Sequence, residues 1–373
     1  MRHSCATLKT LLVLGGYGFF GQRIAATLAG DAGLRVLIAG RDRDKALQVA
    51  RRIGLADDQA VRVDAADPAL PDSLRALGVD VLVHTAGPFQ GQDYTVARAA
   101  ITAGCHYLDL ADGRAFVAGI ESLDGQAQAR GVSVISGASS VPALSSAVVD
   151  RYAPGFARLD SIRMGIASGA RAPGLATVKG IFSYCGRPIR RLQDGAWVWT
   201  HGWLDLQRHR FPDPVGVRWL GSCDIPDLEV FAHRYPQART VTFHAGFAST
   251  IGHLAVWALA GLVKARVLDS MAAFAAPLSR ISRWIEPVVS DKGGMFVELA
   301  GLGPDGNALT RCWHLVAAQN HGPFVPCGAA VALVRKIVAG QPLAIGARAC
   351  AGLLTVDEYL APLSNLDIQE VPP

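Results

Sequence analysis

Leu11-Leu12-Val13-Leu14-Gly15-Gly16-Tyr17-Gly18-Phe19-Phe20-Gly21 is the stretch that decides the fold. Four apolar residues run straight into a glycine cluster, and Gly16, Gly18 and Gly21 give the spacing G-x-G-x-x-G. Ile24 and Leu28 follow at helical spacing, and Gly30 reads as the stop. Strand, tight turn and helix together make the context in which this spacing marks a dinucleotide site. Each glycine has an expected task. Gly16 makes the turn, Gly18 lets a pyrophosphate approach the backbone, and Gly21 brings the helix close to the strand. The start of the helix offers N–H groups and its positive end to the phosphates. The expected cofactor contacts here are Gly16, Tyr17, Gly18, Phe19, Phe20 and Gly21.

Outward from this unit, strands and helices alternate. Arg35–Ala39, Ala60–Asp64, Val79–His84, His106–Leu110 and Val132–Ile135 read as strands, with helical patterns between them. That rhythm predicts an α/β fold, an N-terminal Rossmann domain with a doubly wound parallel sheet. Ligands of such sheets sit beyond the carboxyl ends of the strands, so the residues just after each strand are the ones to read for function. After a linking helix, Ala143–Tyr152, the pattern changes. Leu159–Ala167 and Val241–Phe247 alternate as longer strands, and Met295–Gly303 and Thr310–Asn320 flank the turn signal Gly303-Pro304-Asp305-Gly306. This predicts a second α+β domain around a mostly antiparallel sheet. Trp197, Trp199, Trp203 and Trp219 fall in a segment that reads as loop-rich. The expected domains are 1–147, 148–340 and a C-terminal tail, 341–373, packed back on the first domain.

Composition narrows the class. The chain has 373 residues, half of them hydrophobic, and a net charge of +5, which describes a folded globular protein. Its basic residues are scattered, and the densest group, Arg187 to Arg191, has no aromatic ladder or basic helix beside it, so no nucleic-acid partner is expected. Seven cysteines occur singly and none forms C-x-x-C. This speaks for free thiols in a reducing compartment and against a structural zinc, so no metal site is expected. Thr240–Val263 contains no charged residue and is long enough to span a bilayer. It reads instead as a strand followed by a buried helix carrying His253, so a cytoplasmic protein without a membrane partner is the expectation.

The end of the second strand selects the cofactor. NAD-binding units carry an acid there, and NADP-binding units an arginine nearby. Here the acid's place is taken by Ala39 or Gly40, and Arg41 follows, with Arg43 and Lys45 beyond. A guanidinium matches a 2′-phosphate, provided Asp42 turns away as a helix cap. NADP is expected over NAD. Asp64 faces either the adenine edge or the start of a turn. Thr85, Ala86, Gly87 and Pro88 end the fourth strand with small residues beside the expected nicotinamide ribose.

None of the seven tyrosines has a lysine four residues on, which excludes the Tyr-x-x-x-Lys dehydrogenases that share this glycine pattern. Gly15–Gly21, Ala39-Gly40-Arg41-Asp42, Thr85-Ala86-Gly87-Pro88-Phe89-Gln90-Gly91-Gln92 and His106-Tyr107-Leu108-Asp109-Leu110 together resemble the saccharopine dehydrogenase-like oxidoreductases. Gly137–Leu144, Gly301–Gly306 and His321-Gly322-Pro323 extend the resemblance over nearly the whole chain. The resemblance implies an NADP-binding Rossmann domain, a second domain that often forms a homodimer interface, and oxidation or reduction at an imine or C–N bond. Two departures leave the substrate open: Pro142-Ala143 replaces the Pro-Gly of saccharopine reductases, and His84 replaces an asparagine common among relatives.

Such chemistry needs an acid or base and cations for substrate carboxylates. Asp109 reads either as a group facing the cleft or as a brace for the next loop. His84 reads as a proton donor or as a core histidine. Lys179, on an expected helix at Ala176–Tyr184, is the third catalytic candidate. Gln92 and Tyr94 are placed to bind substrate or to cap a helix. Arg171 is the candidate for a substrate carboxylate, and His321 borders the site or the dimer interface. A protein that binds NADP as a sensor without turnover is the alternative.

Overall fold

A computed structural model describes residues 8–169, 174–278, 280, 289–341 and 343–373. Contacts divide the chain into two units. The first comprises the residues up to Ala111 together with Phe116–Ser140 and Pro326–Cys350. The second comprises Asp112–Ala115, Val141–Val325 and Ala351–Pro373.

In the first unit, β1 (Lys9–Leu14) is followed by α1 (Gly21–Leu28), β2 (Leu34–Gly40), α2 (Arg43–Arg52), β3 (Ala60–Arg62), α3 (Leu70–Ala76) and β4 (Val81–His84). Then come α4 (Thr95–Ala103), β5 (His106–Asp109), α5 (Arg114–Ala118, which begins among the residues of the second unit), α6 (Asp124–Arg130) and β6 (Ser133–Ser136). The strand order is β3-β2-β1-β4-β5-β6, all parallel. The order reverses between β1 and β4, where Leu14 lies opposite His84. Leu11, Leu12 and Val13 are fully buried, as a strand covered on both faces requires.

Where the 341–373 tail was expected to pack on this domain, the return begins earlier and ends sooner. The helix Gly328–Val338 and the strand β15 (Gly346–Ala349) belong to the first unit, and β15 extends the parallel sheet beside β6. Arg335 of that helix pairs with Asp31 at 2.7 Å, and the Asp124 carboxylate accepts from the Ala347 amide at 2.8 Å. Residues 351–373 rejoin the second unit instead, because β16 (Ile368–Val371) has an edge partner there, the strand Ala308–Ala317. The first division also falls earlier than 147, after Ser140.

The second unit carries α7 (Ser145–Tyr152), β7 (Arg158–Ala167), α8 (Leu175–Tyr184), β8 (Pro188–Gln193), β9 (Ala196–His201), β10 (Gln207–Arg210) and β11 (Val217–Ser222). These are followed by α9 (Asp227–Arg234), β12 (Thr240–Gly246), α10 (Thr250–Lys264), β13 (Gly293–Leu302) and β14 (Ala308–Ala317). Its sheet runs β10-β11-β12-β7-β13-β14-β16, with β8 and β9 branching from β12. Only β12 and β7 pair in parallel along that path, so the sheet is mostly antiparallel. Helices α7, α9 and α10 pack on β13, β12 and β11.

The segment read as loop-rich is four strands, β8 to β11. Trp197 and Trp199 stand on β9, Trp219 on β11, and Trp203 is fully buried at a positive φ of 63°. The uncharged stretch divides into β12 and α10, with His253 buried against the rings of Trp203 and Phe247. Among the described residues no helix is long and apolar enough to cross a membrane.

Candidate functional site

The glycine turn sits where the sheet reverses. The left-handed residue is Gly15, at φ 81°, rather than Gly16. The Gly15 and Gly16 amides both donate to Ala39 O, at 2.9 and 3.0 Å, which folds the turn onto the end of β2. Gly16 is needed for space instead: a Cβ there lies 2.8 Å from the Ile38 side chain. Gly21 has the least room, since its Cβ would meet Gly15 O at 2.4 Å and Thr85 Oγ1 at 2.7 Å. A Cβ on Gly18 would meet only Gly15 O within 4 Å, so its other sides stay open, as a cradle for a pyrophosphate requires. Helix α1 has no side-chain cap and no acid in its first turn. Its start therefore keeps its positive end uncompensated, as a phosphate requires. Phe19 and Phe20 pack edge to face at 5.0 Å, and the guanidinium of Arg23 lies over the Phe19 ring.

At the end of β2 the acid's place is Gly40, where a Cβ would collide with the Tyr17 ring at 2.3 Å. Tyr17 thus lies across the strand end and accepts a long hydrogen bond from the Asp42 amide, 3.4 Å. Asp42 does cap α2, accepting from the Lys45 amide at 3.1 Å, and it pairs with the Lys45 ammonium at 2.9 Å. The Lys45 ammonium first, and then the Lys45 amide, hold the Asp42 carboxyl below the usual carboxylate range. Arg43 donates to Ala60 O at 3.2 Å. Arg41 is exposed, and among the described residues its side chain has no partner. Asp64 accepts from the Ala66 amide at 3.1 Å, which is the turn reading of that residue.

The β4 end is fastened to the glycine turn. The amide and hydroxyl of Thr85 both donate to Leu14 O, at 2.8 and 2.9 Å. Gln92 donates to Ala86 O at 3.0 Å and to Pro88 O at 2.7 Å, so it holds the Thr85–Pro88 loop in place. Tyr94 donates to Phe116 O at 2.8 Å. His84 is buried, with Nδ1 3.0 Å from the Tyr107 hydroxyl and its ring against Phe89. Burial lowers its pKa to about 4, so the imidazole is neutral near pH 7.

Asp109 is completely buried at the end of β5. One of its carboxylate oxygens accepts from the Ala111 amide at 2.9 Å, the Gly137 amide at 2.8 Å and the Ser136 hydroxyl at 3.0 Å. It ties the ends of β5 and β6 together. Burial raises its pKa to about 6 against the lowering effect of those bonds. The tie was invisible in sequence because Ser136 and Gly137 lie 27 and 28 residues away.

The remaining candidates lie in the second unit. Lys179 is exposed on α8. His321 Nδ1 accepts from the Asp367 amide at 2.9 Å, which fastens the final segment. Arg171 lies outside the described residues. Sequence reading also missed Asp227, buried and accepting from the Ser145 hydroxyl, whose pKa burial raises to about 7.

A glycine turn and an uncapped helix start, set where a parallel sheet reverses, define a Rossmann domain built for a dinucleotide. Residues 11–135 match the saccharopine dehydrogenase NADP binding domain, so this domain is NADP-binding and saccharopine dehydrogenase-like. No curated protein matches the chain at a significant level. Among solved structures, apo saccharopine dehydrogenase (L-Glu forming) from Saccharomyces cerevisiae is similar with a TM-score of 0.65 at 14% identity, covering 97% of this chain and all of that one. The amine dehydrogenase from Mycobacterium smegmatis is similar with a TM-score of 0.50 at 12% identity, covering 95% of this chain and 97% of that one. At these identities the likeness is one of fold.

Proposed function

We propose that this chain is an NADP-dependent oxidoreductase that moves a hydride to or from the carbon–nitrogen bond of an amino-acid-like substrate. The observation that carries the cofactor half is the end of β2, where Gly40 stands in the place of a ribose-binding acid and the exposed Arg41 follows it. The C–N half is supported by the names of the two structures with this fold, a saccharopine and an amine dehydrogenase. We extend the proposal to a homodimer; a light-scattering mass of one chain would overturn that part.

In this reading Gly15–Gly21 and the start of α1 hold the pyrophosphate, Arg41 the 2′-phosphate, and Thr85–Pro88 the nicotinamide ribose. When bound, the cofactor supplies the hydride. The chain's own residues have modest work, because a protonated imine already carries the proton that its nitrogen keeps after hydride addition. Gln92 shapes the loop beside the ribose. Asp109 holds the neighbouring strand ends, and His84 supports β4 as a neutral core residue. Lys179 is the catalytic candidate whose side chain is exposed.

The test is NADPH consumption across a panel of amines and 2-oxo acids, with turnover expected for at least one pair. The burial of both His84 and Asp109 favours the second reading, a sensor that binds NADP without turnover. Tight NADPH binding with no consumption across the panel would replace the first reading by the second.

A further inference from the structure

Away from the nucleotide turn, the second unit gathers His209 of β10 with Cys312 and His314 of β14. The Nε2 atoms of the two histidines are 3.1 Å apart, and Cys312 Sγ lies 3.6 Å from His314 Nε2. One donor atom from each of the three residues falls within 4.8 Å of the others. We propose that His209, Cys312 and His314 form a binding site for a thiophilic divalent cation of the zinc class, with water in the fourth position.

Bond lengths support this assignment. With Zn–N of about 2.05 Å, Zn–S of about 2.3 Å and tetrahedral angles, nitrogens around one ion stand about 3.3 Å apart and nitrogen and sulfur about 3.6 Å apart. The separations of His314 from His209, 3.1 Å, and from Cys312, 3.6 Å, match these within a few tenths of an ångström. Two imidazoles and a thiolate suit zinc over magnesium or calcium, which take oxygen ligands.

The donors are held before any ion arrives. Cys312 and His314 are two residues apart on one strand and so project from the same face. The ring of His209 stacks on Phe296 at 3.7 Å and 10°, with Phe211 edge-on at 4.7 Å. Phe296 is itself the β13 residue opposite His314. The charged neighbours offset one another: Glu298, opposite Cys312, pairs with Arg163 at 3.1 Å. Binding displaces one proton from the Cys312 thiol, and the resulting thiolate takes the metal bond. Sequence reading looked for C-x-x-C, but here the donors come from strands about a hundred residues apart.

The test uses the full-length chain, stripped with chelator and titrated with cobalt(II), then with zinc(II). One equivalent of each should bind. The cobalt form should show a sulfur-to-metal charge-transfer band together with the strong visible bands of tetrahedral cobalt. Cys312→Ser should abolish the charge-transfer band, and His209→Gln and His314→Gln should each weaken zinc binding at least tenfold. Unchanged circular dichroism and NADPH binding would show that the variants are folded. Failure of the wild-type chain to retain either metal, or the same cobalt spectrum in Cys312→Ser, would overturn the site.

Discussion

Asp109→Asn separates a structural tie from a reacting carboxyl. In the folded chain Asp109 titrates near pH 6, raised from an ordinary value of 3.8 mainly by burial. The native state therefore binds this proton more tightly than the unfolded chain. Stability from this group is fully present below about pH 4 and is lost as the pH rises to about 6. A shift of about two units corresponds to about 3 kcal/mol at pH 7. Asparagine keeps the acceptor for Ala111, Gly137 and Ser136 but carries no charge. The variant should match the wild type within about 1 kcal/mol at pH 4 and exceed it by about 2–3 kcal/mol at pH 7. Asp109→Ala should instead cost about 3 kcal/mol or more at pH 4, because three buried donors lose their acceptor, and about 3 kcal/mol less than that at pH 7, where it also removes the buried charge. Urea unfolding followed by far-ultraviolet circular dichroism is the assay. Tryptophan fluorescence would report mainly on the second unit, since the first tryptophan is Trp197. A wild-type-minus-Asn difference that stays flat between pH 4 and pH 7 would refute the argument.

Three further outcomes follow from the geometry. Arg41→Ala should weaken NADPH binding about 10- to 30-fold, the value of one charge-assisted phosphate contact, and NADH binding less than twofold; equal losses in titrations of both would remove Arg41 from the 2′-phosphate. Gly21→Ala forces a methyl against backbone at 2.4 Å, so a loss of about 3 kcal/mol and of NADPH binding is expected in thermal melts and cofactor titrations. Asp227→Asn removes a buried carboxyl that titrates near pH 7, so it should gain stability over wild type between pH 5 and pH 8, checked by melts across that range.

Much of the first unit was legible in the chain, because its strands are buried on both faces and read as unbroken apolar runs. The Asp42 cap was legible for a related reason, since a cap acts within three residues. β8 to β11 escaped because they are short and half-exposed, so no clean apolar alternation marks them. The roles of individual candidates were least legible. Asp109 and His84 each admitted a catalytic and a supporting reading in sequence, because neither burial nor distant partners are written in a local pattern. Gln92 was open to substrate or capping, and its amide holds the loop before it.

The run Leu11 to Gly21 determined by itself that a dinucleotide domain opens the chain, since strand, turn and helix are local choices of a few neighbouring residues. It did not determine which glycine turns the backbone. Gly15 takes that place because its neighbours Ala39 and Thr85 come from other strands. The return of the chain through β15, the departure of β16 to the second sheet and the gathering of His209 with Cys312 and His314 were decided only by tertiary pairing. Each brings together residues too far apart in sequence for any local pattern to record.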